Sequence, residues 1–356
     1  MQLGESRRWA TLAERFDPRH NSLNVIRLAL ATSVIVSHSW PLSGGGGAPA
    51  VGNQFLGDIA VDGFFAISGF LILGSRLNSH SLVDFFWRRF LRIWPAFIVV
   101  LVFVAFVVAP VTVFALKNGA YDAVSAITYV LKNLSLVIVQ PGIESTPVGI
   151  PEVGNWNAPL WTLAYEFACY IGIALVVTVV AKRLLGVTLA MLLAGATALN
   201  LVTALSIADL PDPLVVLARL GAFFLAGSMI YHVRERIPLS HVGGALAAVV
   251  SAGLILGQAF DVVGAIPFAY LMMYFSVVLP LARVGAVNDI SYGMYIYAFP
   301  LQLVLAVIVG SALPAWAFVL ISIALTVPFA AASWFLVEKP AMRLKRLTRQ
   351  RPTVSV

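Results

Sequence analysis

The sequence contains few charged side chains and a single cysteine. Of its 356 residues, 11% are Asp, Glu, Lys or Arg, whereas 60% are hydrophobic. A soluble protein of this length could not cover so much apolar surface with so few charges. A disordered chain is excluded as well, because such chains are poor in aliphatic and aromatic residues. These proportions predict an all-α, polytopic membrane protein. The lone Cys169 excludes an intrachain disulfide and a cysteine-based metal cluster, and no metal site is expected.

Three features of other protein classes are also missing from the sequence. The first 20 residues are polar and basic and the first apolar run is long, so no cleavable signal peptide is predicted. No internal repeat of the kind that marks many transporters is found. No appended soluble domain is expected. The predicted organisation is a cytoplasmic N-terminal segment at 1–22, a transmembrane domain at 23–338 and a basic cytoplasmic tail at 339–356, lying on the membrane surface or disordered.

Ten apolar runs are long enough to cross the membrane, since a helix needs about 20 apolar residues to span the hydrocarbon core. These runs are 24–41, 57–74, 93–116, 158–180, 184–208, 214–231, 242–260, 263–282, 290–311 and 314–337. The stretch 121–140 is apolar at both ends but carries Lys132 and Asn133 in its middle. Whether 121–140 is an eleventh span depends on the topology of the whole chain.

The distribution of basic residues favours one topology, because cytoplasmic loops are enriched in Lys and Arg. Ten spans place both termini in the cytoplasm, and all but three of the 23 Lys and Arg residues then face that side; the exceptions are Lys117, Lys132 and Arg219. An eleventh span at 121–140 would move the basic tail outside. We therefore predict a re-entrant or interfacial helix on the outer face at 121–140. The net charge of +7 is explained by topology and contact with anionic membrane lipid, and no nucleic-acid partner is expected.

Arg27 and His38 lie on the same face of the first predicted span. Eleven helical steps turn the chain about 1100°, which is three turns plus roughly 20°, and separate the two residues by about 16 Å along the axis. Ionisable groups inside a membrane are costly and therefore functional candidates. The pair predicts a path from the cytoplasmic mouth towards the outer half of the bilayer. Alternatively, Arg27 snorkels to lipid phosphate and His38 caps a helix end near Trp40.

Asp62 is a carboxylate near the outer end of the second span, at a depth similar to that of His38. A carboxylate beside an imidazole can fix its tautomer and raise its basicity, so Asp62 is a candidate to orient His38. The neighbouring Gly63 and Gly69 allow close helix approach. The alternative interpretation is an interfacial Asp beside packing glycines.

Arg88, Arg89 and Arg92 end the loop that is predicted between the second and third spans. Arg89 and Arg92 are three residues apart and hence neighbours on a helical face. Guanidinium groups bind phosphate oxygens bidentately, so this cluster predicts a site for a phosphate-bearing ligand. A purely topogenic cluster is the alternative.

Glu166, about two turns into the fourth span, would need a partner in the membrane, and Arg219 is a possible one. Trp161 and Tyr165, on the same span, form either an interfacial aromatic belt or a stacking surface for sugar rings. Tyr292, at the start of the ninth span, is a further candidate for substrate binding.

Taken together, these segments resemble the acyltransferase-3 family of integral membrane acyltransferases, from about residue 24 to residue 346. Any one motif is weak, but six occur in the family's order. They are Arg27 and His38 at the family's spacing, Asp62–Ile72, Arg88–Pro95, Leu160–Glu166, Ser291–Tyr297 and the closing Glu338–Pro340. One departure is Ala298, where family members often carry a histidine.

The resemblance implies transfer of an acyl group, most often acetyl, from cytoplasmic acyl-CoA to a carbohydrate hydroxyl of the cell envelope. It also implies a multi-pass protein of the bacterial inner membrane and a requirement for the Arg27–His38 motif. Acyl-CoA is the expected donor and a glycan the expected acceptor.

These implications and the residue pattern lead to one mechanistic hypothesis. Arg88, Arg89 and Arg92, with Arg27, bind the phosphates of acyl-CoA. His38 acts as general base or carries the acyl group briefly. Glu166, Trp161, Tyr165 and Tyr292 contact substrate, with the acceptor sugar on the outer side.

Two other function classes stay open at this point. One is a transporter or flippase of glycan or lipid intermediates, which would explain the spans and the intramembrane charges equally well. The other is a catalytically silent relative that binds a partner, an alternative that the Ala298 departure supports.

Overall fold

The structure is a computed structural model that describes residues 10–150 and 154–348. Within these residues the chain is helical apart from loops and one hairpin, in which β1 (Ala50–Val51) pairs antiparallel with β2 (Gln54–Phe55). This confirms the predicted all-α class. The outermost parts of the predicted N-terminal segment and tail, residues 1–9 and 349–356, lie outside the described residues.

Fourteen α-helices follow one another along the described chain. They are α1 (Leu12–Arg15), α2 (Leu23–Leu42), α3 (Leu56–Leu77), α4 (Leu82–Phe103), α5 (Ala123–Asn133), α6 (Thr162–Val179), α7 (Leu185–Ala204), α8 (Asp212–His232), α9 (His241–Leu256), α10 (Phe260–Val263), α11 (Ala265–Val278), α12 (Ser291–Val309), α13 (Ala315–Ser333) and α14 (Lys339–Arg343). Turns of π- or 3₁₀-helix extend several of them, at Val104–Val108, Val111–Ala115, Ala158–Trp161, Lys182–Leu184, Trp334–Glu338 and Leu344–Thr348.

Each predicted apolar run coincides with a helix. In the described residues, eight helical stretches are long and apolar enough to span a membrane, whereas α9 and α11 have 16 and 14 residues. The stretch 121–140 contains α5, whose 11 residues are too few to cross the hydrocarbon core. The number of spans and the cytoplasmic position of the termini stay predictions.

The third span begins earlier than predicted. Helix α4 starts at Leu82, so the arginines expected in a loop lie on the helix itself. Ser81 caps this helix, because its hydroxyl accepts a hydrogen bond from the Asp84 amide at 3.1 Å. The three arginines are therefore spaced along one helix. Arg88 and Arg89 are consecutive residues of that helix, so their side chains leave it in different directions.

Helices α3 and α8 approach each other closely at two glycines. A Cβ atom on Gly69 would lie 1.8 Å from the carbonyl oxygen of Phe224, and one on Gly227 would lie 1.9 Å from that of Ala66. The hydroxyl of Ser228 donates a hydrogen bond to the Gly69 carbonyl at 3.0 Å. Backbones this close leave no room for a side chain, as the sequence predicted for Gly69.

Replacing Gly227 by alanine is expected to destabilise the protein strongly, by about 1–3 kcal/mol or more, because two packed backbones must separate. Gly221→Ala is the matched control on the same helix, since a Cβ there has no neighbour within 4 Å. Thermal unfolding in detergent should show a lower midpoint for Gly227→Ala than for Gly221→Ala. Equal midpoints would mean that α3 and α8 do not approach so closely.

The described ends of the chain pack onto the same end of the bundle. Near the N-terminus, Leu12 is fully buried and its amide donates a hydrogen bond to the Ile237 carbonyl at 2.9 Å. At the other end, the Thr348 hydroxyl donates to Asp84 at 2.8 Å, and Trp87 Nε1 donates to the Leu344 carbonyl at 3.1 Å. Residues 339–348 are therefore helical and docked on α4, so this part of the tail is not disordered.

Candidate functional site

A cavity of about 460 Å³ opens among α2, α3, α4, α6 and α12, at the end of the bundle where α2, α4 and α12 begin. Five basic side chains and only two carboxylates line it, which makes it suited to an anionic ligand. Six of the ten predicted site residues belong to its lining: Arg27, Arg88, Arg89, Arg92, Glu166 and Tyr292.

Arg92 is held firmly by two carboxylates from distant parts of the chain. Its guanidinium lies 2.7 Å from Asp289 Oδ2 and 3.2 Å from Glu338 Oε2. Its charge also faces the ring of Tyr292 at 5.8 Å, and the Tyr292 hydroxyl donates to the Ile93 carbonyl at 3.0 Å. These contacts join α4, α12 and the end of the last span at the cavity wall.

Asp289 lies just before α12 and forms ion pairs with two arginines. Besides Arg92, it faces Arg27 Nη1 at 3.6 Å. Burial alone raises the pKa of this carboxyl, but the positive charges of Arg92 and Arg27 and the hydrogen bonds from Ser291 outweigh burial, so the pKa lies below its usual range. Asp289 is therefore a fixed anion that partly neutralises the mouth of the cavity.

The other two arginines of α4 differ from each other. Arg88 forms an ion pair with Asp84 at 2.8 Å, one helical turn earlier. Arg89 lines the cavity, and within residues 10–150 and 154–348 no carboxylate lies within ion-pair distance of it. Its Nε atom is buried and has no hydrogen-bond partner there. A guanidinium in this state is the strongest candidate in the cavity to bind an anion.

Glu166 lies in the arginine-lined cavity and not in a separate outer pocket. The hydroxyls of Ser68 and Tyr170 donate hydrogen bonds to its Oε1 at 2.6 and 2.5 Å. The prediction that Arg219 pairs with Glu166 is wrong, because Arg219 forms ion pairs with other carboxylates. Both hydroxyls donate to the same Glu166 oxygen, and no cation lies within ion-pair distance of Glu166 among the described residues.

Asp62 binds Arg219 in a second charged cluster. Asp62 is fully buried, and its Oδ2 accepts a hydrogen bond from Arg219 Nη2 at 2.9 Å. Arg219 Nε also lies 3.1 Å from Asp261 Oδ1, and Arg219 Nη1 lies 4.0 Å from Asp58 Oδ2. The expected contact of Asp62 with His38 is not among the hydrogen bonds of the described residues, since the guanidinium is the carboxylate's nearer partner.

His38 lies beyond the inner end of the cavity and is not among the residues lining it. Its ring packs edge-on against Phe299, with centroids 4.9 Å apart. Tyr295, one turn earlier on α12, does line the cavity. Four helical residues correspond to a rise of about 6 Å, so the cavity stops roughly one helical turn short of the Phe299 contact. Arg27 thus lies in the cavity, whereas His38 lies past its end.

Tyr295 and Thr162 line the cavity at that inner end and are hydrogen-bonded to each other. The Tyr295 hydroxyl donates to the Pro159 carbonyl at 2.5 Å and lies 2.6 Å from Thr162 Oγ1. The ring of Phe64 packs edge-on against Tyr295 with centroids 5.9 Å apart. Tyr295 belongs to the Ser291–Tyr297 motif, but its sequence context predicted no role for it.

Trp161 and Tyr165 are placed away from the cavity lining. Their rings pack edge-on with centroids 5.6 Å apart, and Trp161 is 41% exposed. Their predicted role in sugar binding stays a prediction.

Several cavity residues were not predicted from the sequence, notably Asp289, Tyr170 and Ser68. Glu338, which pairs with Arg92, was recognised only as part of a motif. Asp289 and Glu338 flank the ninth and tenth apolar runs, where charges usually mark the ends of spans. The only available signal for Tyr170 was its position four residues after Glu166, which places both on one helical face.

The fold and cavity define a polytopic helical membrane protein with a guanidinium-lined pocket at one end of its bundle. The family model described as an acyltransferase domain, Acyl_transf_3, matches residues 20–335. The chain therefore belongs to the acyltransferase-3 family, which makes it an acyltransferase built from membrane-type helices.

Curated relatives support the same assignment. The chain is 30% identical to the "O-acetyl transferase" of Shigella phage Sf6 over 352 residues, covering 95% of this chain and 99% of that protein. It is 24% identical to "Nodulation protein 10" of Rhizobium leguminosarum bv. viciae, over 93% of this chain and 96% of the relative. "Acyltransferase MdmB" of Streptomyces mycarofaciens is 31% identical over 116 residues, 33% of this chain and 27% of that one. No solved structure matches the chain. The family assignment favours acyl transfer over the transporter alternative.

Proposed function

We propose that the protein lies in the bacterial inner membrane and transfers an acetyl group from acyl-CoA to a hydroxyl of a cell-envelope glycan. The donor enters the arginine-lined cavity from the cytoplasmic side. The observation that carries this proposal is Arg89, a guanidinium on the cavity wall that forms no ion pair in the described part of the chain and whose buried Nε has no hydrogen-bond partner there. The diphosphate of acyl-CoA provides the missing negative charge.

The rest of the cavity fits the remainder of such a donor. Inward of the arginines, its wall becomes apolar at Val61, Phe64, Phe65 and Leu163. A pantetheine arm that runs along this wall brings its thioester towards Tyr295. Glu166 lies beside this route. Its Oε1 already accepts hydrogen bonds from two hydroxyls, and the carboxylate can accept a further hydrogen bond from the pantetheine amides.

His38 is the proposed general base for the reaction. Its imidazole takes the proton of the acceptor hydroxyl while the oxygen attacks the thioester carbonyl carbon. The carbon–sulfur bond then breaks, and the departing CoA thiolate takes the proton back from the imidazolium. Tyr295 and Thr162 line the inner end of the cavity, one helical turn of α12 before the Phe299 contact. In the proposed reaction their hydrogen-bonded pair separates so that donor and base meet. A closed pair keeps water from the thioester while no acceptor is bound.

The donor site is tested by Arg89→Gln. Loss of a charge-assisted hydrogen bond costs about 1.5–3 kcal/mol, so the dissociation constant of acetyl-CoA should rise roughly 10- to 100-fold. Calorimetric titration of the purified protein measures this constant. Arg343→Gln is the matched control, because Arg343 is exposed at the same end of the bundle and does not line the cavity. Equal affinities in both variants would place the donor elsewhere.

The acceptor is tested by mass spectrometry of envelope polysaccharides from a deletion strain and from the strain complemented with the wild-type gene. The proposal expects acetyl esters that disappear on deletion and return on complementation. Polysaccharides of unchanged acetylation but altered amount or location in the deletion strain would instead support a transporter.

A further inference from the structure

A second cavity, of about 370 Å³, adjoins the arginine-lined one. Four residues line both: Asn24, Arg27, Leu71 and Ala286. Arg27 therefore stands at the boundary, with one cavity on either side. A ligand too long for the first cavity can continue past Arg27 into the second.

The second cavity is cationic. Arg19 and Arg27 line it, and none of its lining residues is acidic. The loop that carries Arg19 is fixed by its own hydrogen bonds, since Asp17 Oδ1 accepts from the Arg19 amide at 2.8 Å and Asn21 Nδ2 donates to the Asp17 carbonyl at 2.8 Å. No carboxylate lies within ion-pair distance of the Arg19 guanidinium among residues 10–150 and 154–348.

The wall between the second cavity and the neighbouring loop is also fixed. Asn24 Nδ2 donates a hydrogen bond to the Gly285 carbonyl at 2.8 Å, which ties the start of α2 to the segment before α12. This wall of the site is therefore preformed, and the Arg19 side chain beside it is exposed to solvent.

We infer that the second cavity is a phosphate subsite in which Arg19 and Arg27 bind the ribose 3′-phosphate of the CoA donor. This inference rests on the proposed function. Acyl-CoA carries a diphosphate and, at its far end, a separate ribose phosphate. With the acyl group towards Tyr295 and the diphosphate at Arg89, the order of groups along the donor brings the ribose phosphate past Arg27 to Arg19. Guanidinium groups are well suited to such a terminal phosphate because they bind it bidentately.

The experiment compares three donors on the full-length protein in phospholipid-free detergent: acetyl-CoA, acetyl-dephospho-CoA, which lacks the 3′-phosphate, and S-acetylpantetheine. For Arg19→Gln we expect the dissociation constant of acetyl-CoA to rise about 10-fold, while those of the other two donors stay unchanged. Arg15→Gln is the matched control, since Arg15 is exposed just before this loop and lines neither cavity. Arg19→Lys should restore part of the preference for acetyl-CoA.

Other outcomes separate the subsite from the proposed function. If the wild type binds acetyl-CoA and Arg19→Gln binds it equally well, the subsite is overturned while the donor cavity stands. If Lys345→Gln, at the mouth of the first cavity, removes the preference for the 3′-phosphate instead, the phosphate lies there and the inference is wrong. An effect of Arg19→Gln that appears only after phosphatidylglycerol is added assigns the cavity to a lipid headgroup and also overturns it. If the wild type binds none of the donors, the proposed function itself fails.

Discussion

Replacing His38 by alanine is expected to lower acyl transfer to the glycan by about 100- to 10,000-fold, the usual contribution of a general base. Donor binding should stay at the wild-type level, because His38 is not part of the cavity lining. The two effects are measured separately, by mass spectrometry of glycan acetylation in the complemented deletion strain and by calorimetric titration with acetyl-CoA. A loss of both would indicate misfolding rather than loss of a base.

A matched control for this substitution is His80→Ala. His80 is exposed between α3 and α4 and does not line the cavity, so both readouts should match the wild type. If the His38→Ala and His80→Ala variants acetylate the glycan equally well, His38 takes no part in the reaction.

Replacing Arg219 by alanine is expected to destabilise the protein by about 3–5 kcal/mol, the usual cost of leaving one partner of a buried ion pair alone. Asp62 is fully buried and its hydrogen bond to Arg219 would be lost, while Asp261 and Asp58 would face it without a cation between them. The midpoint of thermal unfolding in detergent measures the effect. Arg183→Ala, at an exposed position between α6 and α7, should stay within about 0.5 kcal/mol of the wild type.

A double substitution distinguishes the pair from general disruption at this position. Asp62→Leu combined with Arg219→Met removes both charges and keeps apolar volume, so it should recover much of the stability lost by Arg219→Ala. If the double variant is no more stable than Arg219→Ala, the ion pair is not what holds α3 and α8 together here.

The helices could be predicted from the sequence because crossing a membrane imposes long apolar runs. The start of α4 could not be read from apolarity, since the charges from Asp84 to Arg92 interrupt the run although they do not interrupt the helix. Ser81 was the available signal, as an N-cap residue three positions before an acidic side chain. Helix boundaries in polar segments depend on capping, which an apolar window does not detect.

The candidate site could be predicted only in part, because only those of its features that lie within a single helix follow from the sequence. The spacing of Arg89 and Arg92 and the shared face of Arg27 and His38 are properties of single helices, and they can be derived from sequence. The ion pairs of Arg92 with Asp289 and Glu338, and of Arg219 with Asp62 and Asp261, join residues far apart in the chain. Partners of this kind follow from how helices pack, and one sequence does not specify that arrangement.

The position of the inner end of the cavity, at Tyr295, is another consequence of packing. The helical geometry of α2 alone suggests one continuous path from Arg27 to His38. In the fold, α12 and the first residue of α6 supply Tyr295 and Thr162, whose hydroxyls are hydrogen-bonded to each other at the inner end of the cavity. The single path predicted from the sequence is thus interrupted between Arg27, which lines the cavity, and His38, which does not. In the proposed reaction the first part receives the donor, and the path must open for the donor to reach His38.

The central claim, that the arginine-lined cavity receives an acyl-CoA, is tested most directly by a cryo-electron microscopy map of the protein with bound acetyl-CoA. The account predicts density for the diphosphate within hydrogen-bond distance of Arg89 and for the acetyl group facing Tyr295. Density for the ligand at the opposite, Asp58–Asp261 end of the bundle, with an empty arginine-lined cavity, would contradict it.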